Sequence, residues 1–524
     1  MAINEKWITI IKMYSGRDEL PQLDNMKIEE YASWYAGKVD SFHTYRIYNG
    51  DRSIELEKKS LQMPKKVCED WADILANEKL EIGLANDKDN KVISQILKDN
   101  KFHPLLSNAV EKSFALSFGI ITASVINLEV GENTKLLRAT PDTRIKLKYI
   151  SADKVVPITI EDNELKECAF VYSNTRETTI VIYVLDEKNE YKIINLLFDN
   201  KTPDIPKVSY EFNTGYKDVP FATIRPNINV NTFGLDMIGM SIYGNSIDTF
   251  KVIDDIFDSM GDEFPLARRR LFISTEAYDE VARINNNGDV EFTKTFDVTS
   301  SLFYRLVNND PSSNTPIQDV ASPIRDQAYS NGLNLALNIL SKQVGFGTQR
   351  YKFDPVTYQT ATSVISANQD LAQSMTKHAT LLKEELTSLI MFIKYLNNNF
   401  TLNEKFSDFK NTDVLINFDD SVIEDNTSKM ERDKADVTAN IMSIPEYRAK
   451  WYGETIEEAT EVYRKEFQYD LINKYLPALQ SGAITPTDFA KKVYGENVEQ
   501  EVIDYIAEEM RKTNQSIVDA FGEE

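Results

Sequence analysis

Eight residues, Leu371, Met375, His378, Leu382, Leu386, Leu389, Ile393 and Leu396, recur at steps of three and four. Side chains spaced this way fall on one side of an α-helix with 3.6 residues per turn. The stretch therefore predicts one unbroken helix with an apolar seam about seven turns long. Thr360 or Thr362 can cap its start, and its end is expected near residue 400. A second helical pattern precedes it over residues 324–345, with Ile324, Ala328, Leu335, Ile339 and Leu340 near helical spacing and with Gly345 and Gly347 at its close. Between the two, residues 346–361 have no sustained period and include Gly347, Arg350, Lys352 and Pro355, which suit an exposed loop. The expectation is a helix, a polar loop and a long helix that holds the loop at a fixed place.

The rest of the chain must be divided around this rod. At 524 residues it is too long for one ordinary core, so three or four folding units are expected. With 42% hydrophobic and 27% charged residues it reads as globular. The formal net charge of −23 argues against a general nucleic-acid clamp, because such affinity comes largely from Lys and Arg on phosphate. A conduit is compatible with that charge, since repulsion helps a polyanion slide. Cys68 and Cys168 lie too far apart in sequence to read as a disulfide framework, which fits a reducing compartment. The N-terminus carries no pattern of a signal peptide, and no run of 18 apolar residues spans a membrane.

In order, residues 1–120 read as mostly helical, with short helices around Ile8–Tyr14, 28–38, 64–78, 91–100 and 106–120. Trp34, Tyr35 and Trp71 read as core. From residue 121 to about 223 the period changes to two, and β-branched or aromatic runs alternate with turns such as Asp162-Asn163 and Glu187-Lys188-Asn189, giving an antiparallel sheet. A helix is expected over 235–264, ended by Pro265, with Ile247, Phe250, Ile253, Phe257 and Met260 on one side. Residues 265–323 form a mixed insertion: Arg268-Arg269-Arg270, a strand-like LFIST, a short helix over 275–284, a turn at 285–289, a strand over 290–296 and a loop at PSSNTP. After residue 400, a strand-like run at 413–421 precedes short acidic helices over 428–514, and residues 515–524 are expected to fray.

Catalytic motifs are missing. There is no P-loop, and His43, His103 and His378 stand far apart, outside any zinc motif; no cofactor is expected. His378 reads as a packed histidine of the seam. Asp419-Asp420 and Glu424-Asp425 read as ordinary acidic pairs in a chain with 82 carboxylates. Arg268, Arg269 and Arg270 can touch phosphate or simply be solvated or paired. In the loop, Arg350 and Lys352 lie beside Tyr351 and Phe353, a mixture of charge and aromatics found in single-strand binders. Local salt bridges, to Asp354 or a neighbouring subunit, are the alternative.

This order of parts resembles the portal proteins of tailed bacteriophages over nearly the whole chain. The segment Trp34-Tyr35-Ala36-Gly37 and the run TATSVISANQDLAQSMTKH at 360–378 are similar to portals of long-tailed, siphophage-type viruses of Gram-positive hosts. The resemblance rests on order and spacing rather than a short motif. It implies an α+β, mainly helical portal fold with a wing, stem, clip and crown, a long helix across the wing and an antiparallel sheet in the N-terminal half. The wing is residues 1–235 completed by 346–427, with a tunnel loop at 346–361 and the long helix at 362–400. The stem is 236–264 and 324–345, the clip 265–323 and the crown 428–524. It further implies a homo-oligomeric ring, dodecameric in the capsid, whose loop residues Gly347, Thr348, Gln349, Arg350, Tyr351 and Lys352 face double-stranded DNA. Arg268, Arg269 and Arg270 stand where the clip makes contacts. Partners implied are the terminase large subunit, a head–tail adaptor, and major capsid and scaffolding proteins. The place implied is the capsid vertex of the virion, after assembly in the host cytoplasm, with no enzymatic activity. The alternatives are another phage head or adaptor protein and, from a different class, a capsid-associated nuclease or protease.

Overall fold

The structure is a computed structural model that describes residues 3–521 except 22–24, 49, 131–136, 162–163, 203–204, 232–237, 269, 275–279, 285–286, 295–302, 307–316, 321–322, 349, 352–360, 419–425, 440 and 496–497. The chain forms two compact units, Met1–Ile423 and Glu424–Glu524.

In the first unit the long helix runs Ala361–Phe400. All eight seam residues are buried, Ile393 completely and Leu382 the least at 6% exposed. They enter one large core with Trp71 and Leu75 from the helix Met63–Leu75, Leu106 and Phe114 from the helix Phe102–Leu116, and Leu337 and Leu340 from the helix Asp326–Gln343. The antiparallel β region is present as two larger sheets rather than one, with a short separate pair, Glu129–Val130 against Leu137–Arg138. Strands Phe221–Ile224, Gly119–Ile126 and Arg144–Ser151 form a three-stranded sheet. Val208–Asn213, Tyr191–Asp199, Glu177–Leu185, Glu164–Ser173 and Val155–Glu161 form a five-stranded antiparallel meander. Its alternation is that of a sheet with two packed faces: Cys168, Phe170 and Tyr183 enter one core with Phe118 and Phe221, while Ile180, Ile182 and Ile194 enter another with Ile11 from the first helix, Glu5–Ser15. Arg17, just after that helix, clasps the buried Glu167 of the meander through two hydrogen bonds of 3.0 and 2.8 Å.

Three sequence expectations need correction here. Residues 1–120 are mostly helical, as the periodicity has it, but also contain strands it did not show: Thr44–Tyr48 pairs with Ser53–Glu57, and Glu81–Leu84 pairs with Val414–Asn417, more than 300 positions away. A four-residue strand completed by so distant a partner carries no local period to read. The helix expected over 235–264 begins only at Ile247 and runs to Leu266, one residue beyond Pro265. Ahead of it, residues 238–246 are turns packed into the core: Ile242 N–H donates to Phe114 O and the Tyr243 hydroxyl to Tyr31 O. A Cβ on Gly239 would come within 2.8 Å of Ser117 O, so the glycine permits a backbone approach that a helix would not make. Third, the face chosen for the helix before the loop is largely its outer one. Leu333, Ala336, Leu337 and Leu340 are buried, whereas Ile324, Leu335 and Ile339 are 42%, 64% and 46% exposed, and Ala328 is exposed too. That helix is apolar on several sides, so periodicity alone cannot choose between them.

Ile247–Leu266 and Asp326–Gln343 form an antiparallel pair. Thr249, early in the first, meets Gln343 at the end of the second, at 2.9 Å. Glu263, late in the first, takes two hydrogen bonds from Arg325 (3.0 and 2.7 Å) and one from the Tyr329 hydroxyl (3.1 Å). Arg325 and the Tyr329 hydroxyl hold the Glu263 carboxyl well below its ordinary range, at about 2. Other carboxylates of the first helix face the segment after the Thr44–Glu57 hairpin: Asp255 and Asp262 pair with Lys58 and Lys59, and the buried Asp254 accepts from Leu61 N–H and meets His43 Nε2 at 3.0 Å. His43 Nδ1 accepts from Val39 N–H, so the ring carries its proton on Nε2 and donates to Asp254.

Between the paired helices lies the insertion. Its central strand Arg270–Ser274 runs parallel to Phe303–Leu306 and antiparallel to Ile317–Val320. The short helix expected over 275–284 is corrected as well: Glu280–Ile284 is a strand that pairs with Val290–Lys294. The turn between them contains Gly288 at φ +86°, and cross-strand pairing overrides the weak helical preference of the segment.

The second unit comprises helices Asn426–Thr438, Ile444–Tyr452, Ile456–Gln480, Pro486–Tyr494 and Gln500–Phe521. The last continues to Phe521, past the expected fraying point. Three helices start with reciprocal caps, Ser443 with Glu446, Thr455 with Glu458 and Thr485 with Asp488, each satisfying amide groups that a helix start leaves free. Leu479, Phe489 and Val493 form its small core. Ile456, Phe467 and Tyr469 remain more than half exposed.

Candidate functional site

The loop between the return helix Asp326–Gln343 and the long helix is the candidate site, and its described part is residues 344–348, 350 and 351. Its base is locked. Trp71 of the helix Met63–Leu75 donates Nε1–H to Val344 O at 3.1 Å and stacks on Phe346, with ring centroids 4.7 Å apart and 20° between planes. His378 of the long helix meets the Trp71 ring edge-on at 4.7 Å and lies 5.3 Å from Phe114. Gly345 sits at φ +88°, and a Cβ there would approach Ser374 Oγ to 2.9 Å. Gly347 follows at φ +75°. Two left-handed residues let the chain leave the return helix and turn across the aromatic platform.

The polar rim is built on Asp70, beside Trp71 in the same helix. The Asp70 side chain is only 6% exposed; Lys66 Nζ lies 2.9 Å from its Oδ1 and the Arg350 guanidinium 3.4 Å from the same oxygen. Arg350 also lies 5.6 Å from the centre of the Phe346 ring. The Tyr351 ring packs edge-on against Phe346 at 5.8 Å. Burial and the neighbouring Asp70 carboxylate push the Tyr351 hydroxyl well above the ordinary tyrosine range, yet the two groups do not meet in hydrogen-bond geometry.

The structure therefore gathers Gly347, Thr348, Arg350 and Tyr351 in one described loop, with Thr348 and Arg350 exposed and Gly347 buried. Gln349 and Lys352 lie outside the described residues. Of the insertion's arginines, Arg268 is exposed just after the helix Ile247–Leu266, and Arg270 opens the central strand opposite Val320. Arg269 lies outside the described residues. Asp70 was not legible as a partner of Arg350, because the two are 280 positions apart; a carboxylate beside a core tryptophan is its only local signal.

Two titratable groups, the buried His378 and the partly buried Glu385, seat the long helix. His378 Nδ1 accepts from Asn227 N–H at 2.9 Å, and burial lowers its pKa to about 4, with Lys377 adding to the effect. Glu385 accepts from Thr223 N–H at 2.7 Å. Burial raises its pKa to about 7 despite that amide and Arg225. Among the described residues no three His, Cys, Asp or Glu side chains converge as metal ligands, and no helix is long and apolar enough to cross a membrane. Cys68 and Cys168 are buried free thiols.

A family model described as "Phage portal protein, SPP1 Gp6-like" matches residues 21–461. No curated protein matches. Two solved chains, titled as the neck of a native GTA particle computed with C12 symmetry and the neck of an empty GTA particle computed with C6 symmetry, are each 10% identical to this chain. Each alignment covers 84% of this chain and 97% of the other, with TM-scores of 0.43 and 0.41. Similarity of that degree does not fix the fold.

Proposed function

The chain belongs to the phage portal proteins of the SPP1 Gp6-like type, and from that membership we propose that it assembles into a closed ring, of twelve subunits in the capsid, through which double-stranded DNA is packaged and ejected. The family match over 21–461 is the observation that carries the reading. Its physical requirements agree with the chain's parts. A ring needs a heterologous contact repeated until it closes, and Val252, Leu335 and Ile339 leave apolar surface on the paired helices for such a contact. An acidic chain limits sticking to DNA, while a few loop cations guide it.

In this reading the helices Ile247–Leu266 and Asp326–Gln343 are the stem, and the strand-rich insertion between them is the clip, where Arg268, Arg269 and Arg270 stand as candidate contacts with the terminase large subunit and later the head–tail adaptor. The sheets and the long helix are the wing, and the second unit is the crown. Gly347, Thr348, Gln349, Arg350, Tyr351 and Lys352 form the tunnel loop. The protein is structural and not an enzyme; it resides at one capsid vertex beside major capsid and scaffolding proteins, after assembly in the host cytoplasm. A siphophage of a Gram-positive host is the source that fits the sequence resemblance.

The experiment is to change Arg350 and Lys352 together to Glu and measure DNA content per capsid, with rings checked by microscopy. Intact rings with less packaged or retained DNA are expected. Normal DNA content with intact rings refutes the loop's role on DNA, and broken rings assign it to subunit packing.

A further inference from the structure

The described residues contain four buried side-chain polar atoms without a hydrogen-bond partner, and two of them, Asp70 Oδ2 and the Tyr351 hydroxyl, belong to the same corner of the loop. A buried donor and a buried acceptor left unmet side by side are costly, and each is the natural partner of the other. The other oxygen of Asp70 is taken by two cations, Lys66 at 2.9 Å and Arg350 at 3.4 Å. The Arg350 contact is at the long limit of a hydrogen bond, and its side chain is 36% exposed against 6% for Asp70. Of that pair, the guanidinium is the group that an outside anion can reach.

We propose that Asp70 is a positioning residue that holds Arg350 in reserve, and that it exchanges the guanidinium for the Tyr351 hydroxyl when a phosphodiester takes Arg350. This rests on the reading that the loop faces DNA. With Arg350 on Asp70 the loop's charge is masked and two buried groups stay unmet. With Arg350 on a phosphate, only Lys66 still holds Oδ1, so the Asp70 carboxylate is free to turn Oδ2 onto the Tyr351 O–H, and departure of the cation is compensated inside the protein. The base of the loop need not move, because Trp71 holds Val344 O and stacks on Phe346 in either arrangement. The result is a loop cation that grips weakly and lets go, which suits a polymer that must slide.

The test is binding of a fluorescently labelled 20-base-pair duplex to the assembled full-length protein, followed by anisotropy across a salt series. Arg350→Gln should weaken binding by roughly three- to tenfold, the worth of one partly exposed ion pair, and flatten the salt dependence. Asp70→Asn should tighten binding by a similar factor, and Asp70→Asn combined with Arg350→Gln should fall back to the level of Arg350→Gln alone. Tyr351→Phe, which deletes only an unmet hydroxyl, should weaken binding by about two- to threefold by removing the compensating donor. Unchanged or weaker binding by Asp70→Asn in intact assemblies overturns the proposal, as does wild-type binding by Tyr351→Phe. If Arg350→Gln itself binds like wild type with the same salt slope, the loop does not touch DNA, and the reading on which the proposal rests fails instead.

Discussion

Replacing Glu385 by Gln should stabilise the protein at alkaline pH and leave it nearly unchanged in acid. Glu385 is held by Thr223 N–H at 2.7 Å, an acceptor role that a glutamine carbonyl keeps. Its carboxyl titrates at about 7 in the fold against 4.5 when free, because burial disfavours the charge; Glu164 of the meander and Glu384 of its own helix add to the effect, and Arg225 opposes it. Below pH 4.5 both folded and unfolded chains carry the proton, and no penalty exists. As pH rises from 4.5 to 7 the unfolded chain releases the proton first, so stability falls; above 7 the full penalty remains. Two and a half units correspond to about 3 kcal/mol at most. His378, two turns earlier in the helix, acts in the opposite sense: its pKa, lowered to about 4, makes the fold lose stability as pH falls from 6.5. The informative quantity is therefore the difference between Glu385→Gln and wild type, measured by urea unfolding at pH 5, 6, 7 and 8. A gain that grows from about 1 kcal/mol or less at pH 5 to about 3 kcal/mol at pH 8 is expected. A pH-independent difference, or a variant that loses more at pH 8 than at pH 5, would refute the reasoning.

Other outcomes follow from the same packing. Gly345→Ala should cost at least about 1–2 kcal/mol from its left-handed backbone alone, with more from the Ser374 contact; denaturant melts measure it, and an unchanged midpoint would contradict the assigned conformation. Trp71→Ala should cost about 3–5 kcal/mol and speed amide exchange at residues 344–351, since it removes both the stack on Phe346 and the bond to Val344 O; slow exchange in the variant would mean the loop is anchored elsewhere. Deleting residues 267–323 and joining the paired helices by a short linker should leave the rest folded but abolish terminase or adaptor binding. Packaging and tail joining by that variant would remove the clip assignment.

How much of this was legible depends on whether the information was local. The long helix was, because all eight seam positions face one core and nothing else competes for that spacing. Alternation between 121 and 223 announced antiparallel strands, though not their division into separate sheets, with Gly119–Ile126 pairing on both sides with Phe221–Ile224 and Arg144–Ser151 and so leaving the five-stranded meander apart. The return helix misled because Leu333, Leu335, Leu337 and Ile339 surround it with apolar side chains, and only the paired helix and core decide which side is covered. At the loop, the glycines and cations were visible in sequence. Their anchors, Trp71 and Asp70, were not, since both come from a helix some 280 positions away.

The measurement that bears most directly on the central claim is the mass and shape of the purified full-length protein at micromolar concentration, by native mass spectrometry and axial views in the electron microscope. A closed ring with a central channel and a mass of about 700 kDa, twelve times the 59.9 kDa chain, is predicted, and a thirteen-fold ring satisfies the same account. A monodisperse monomer would contradict it.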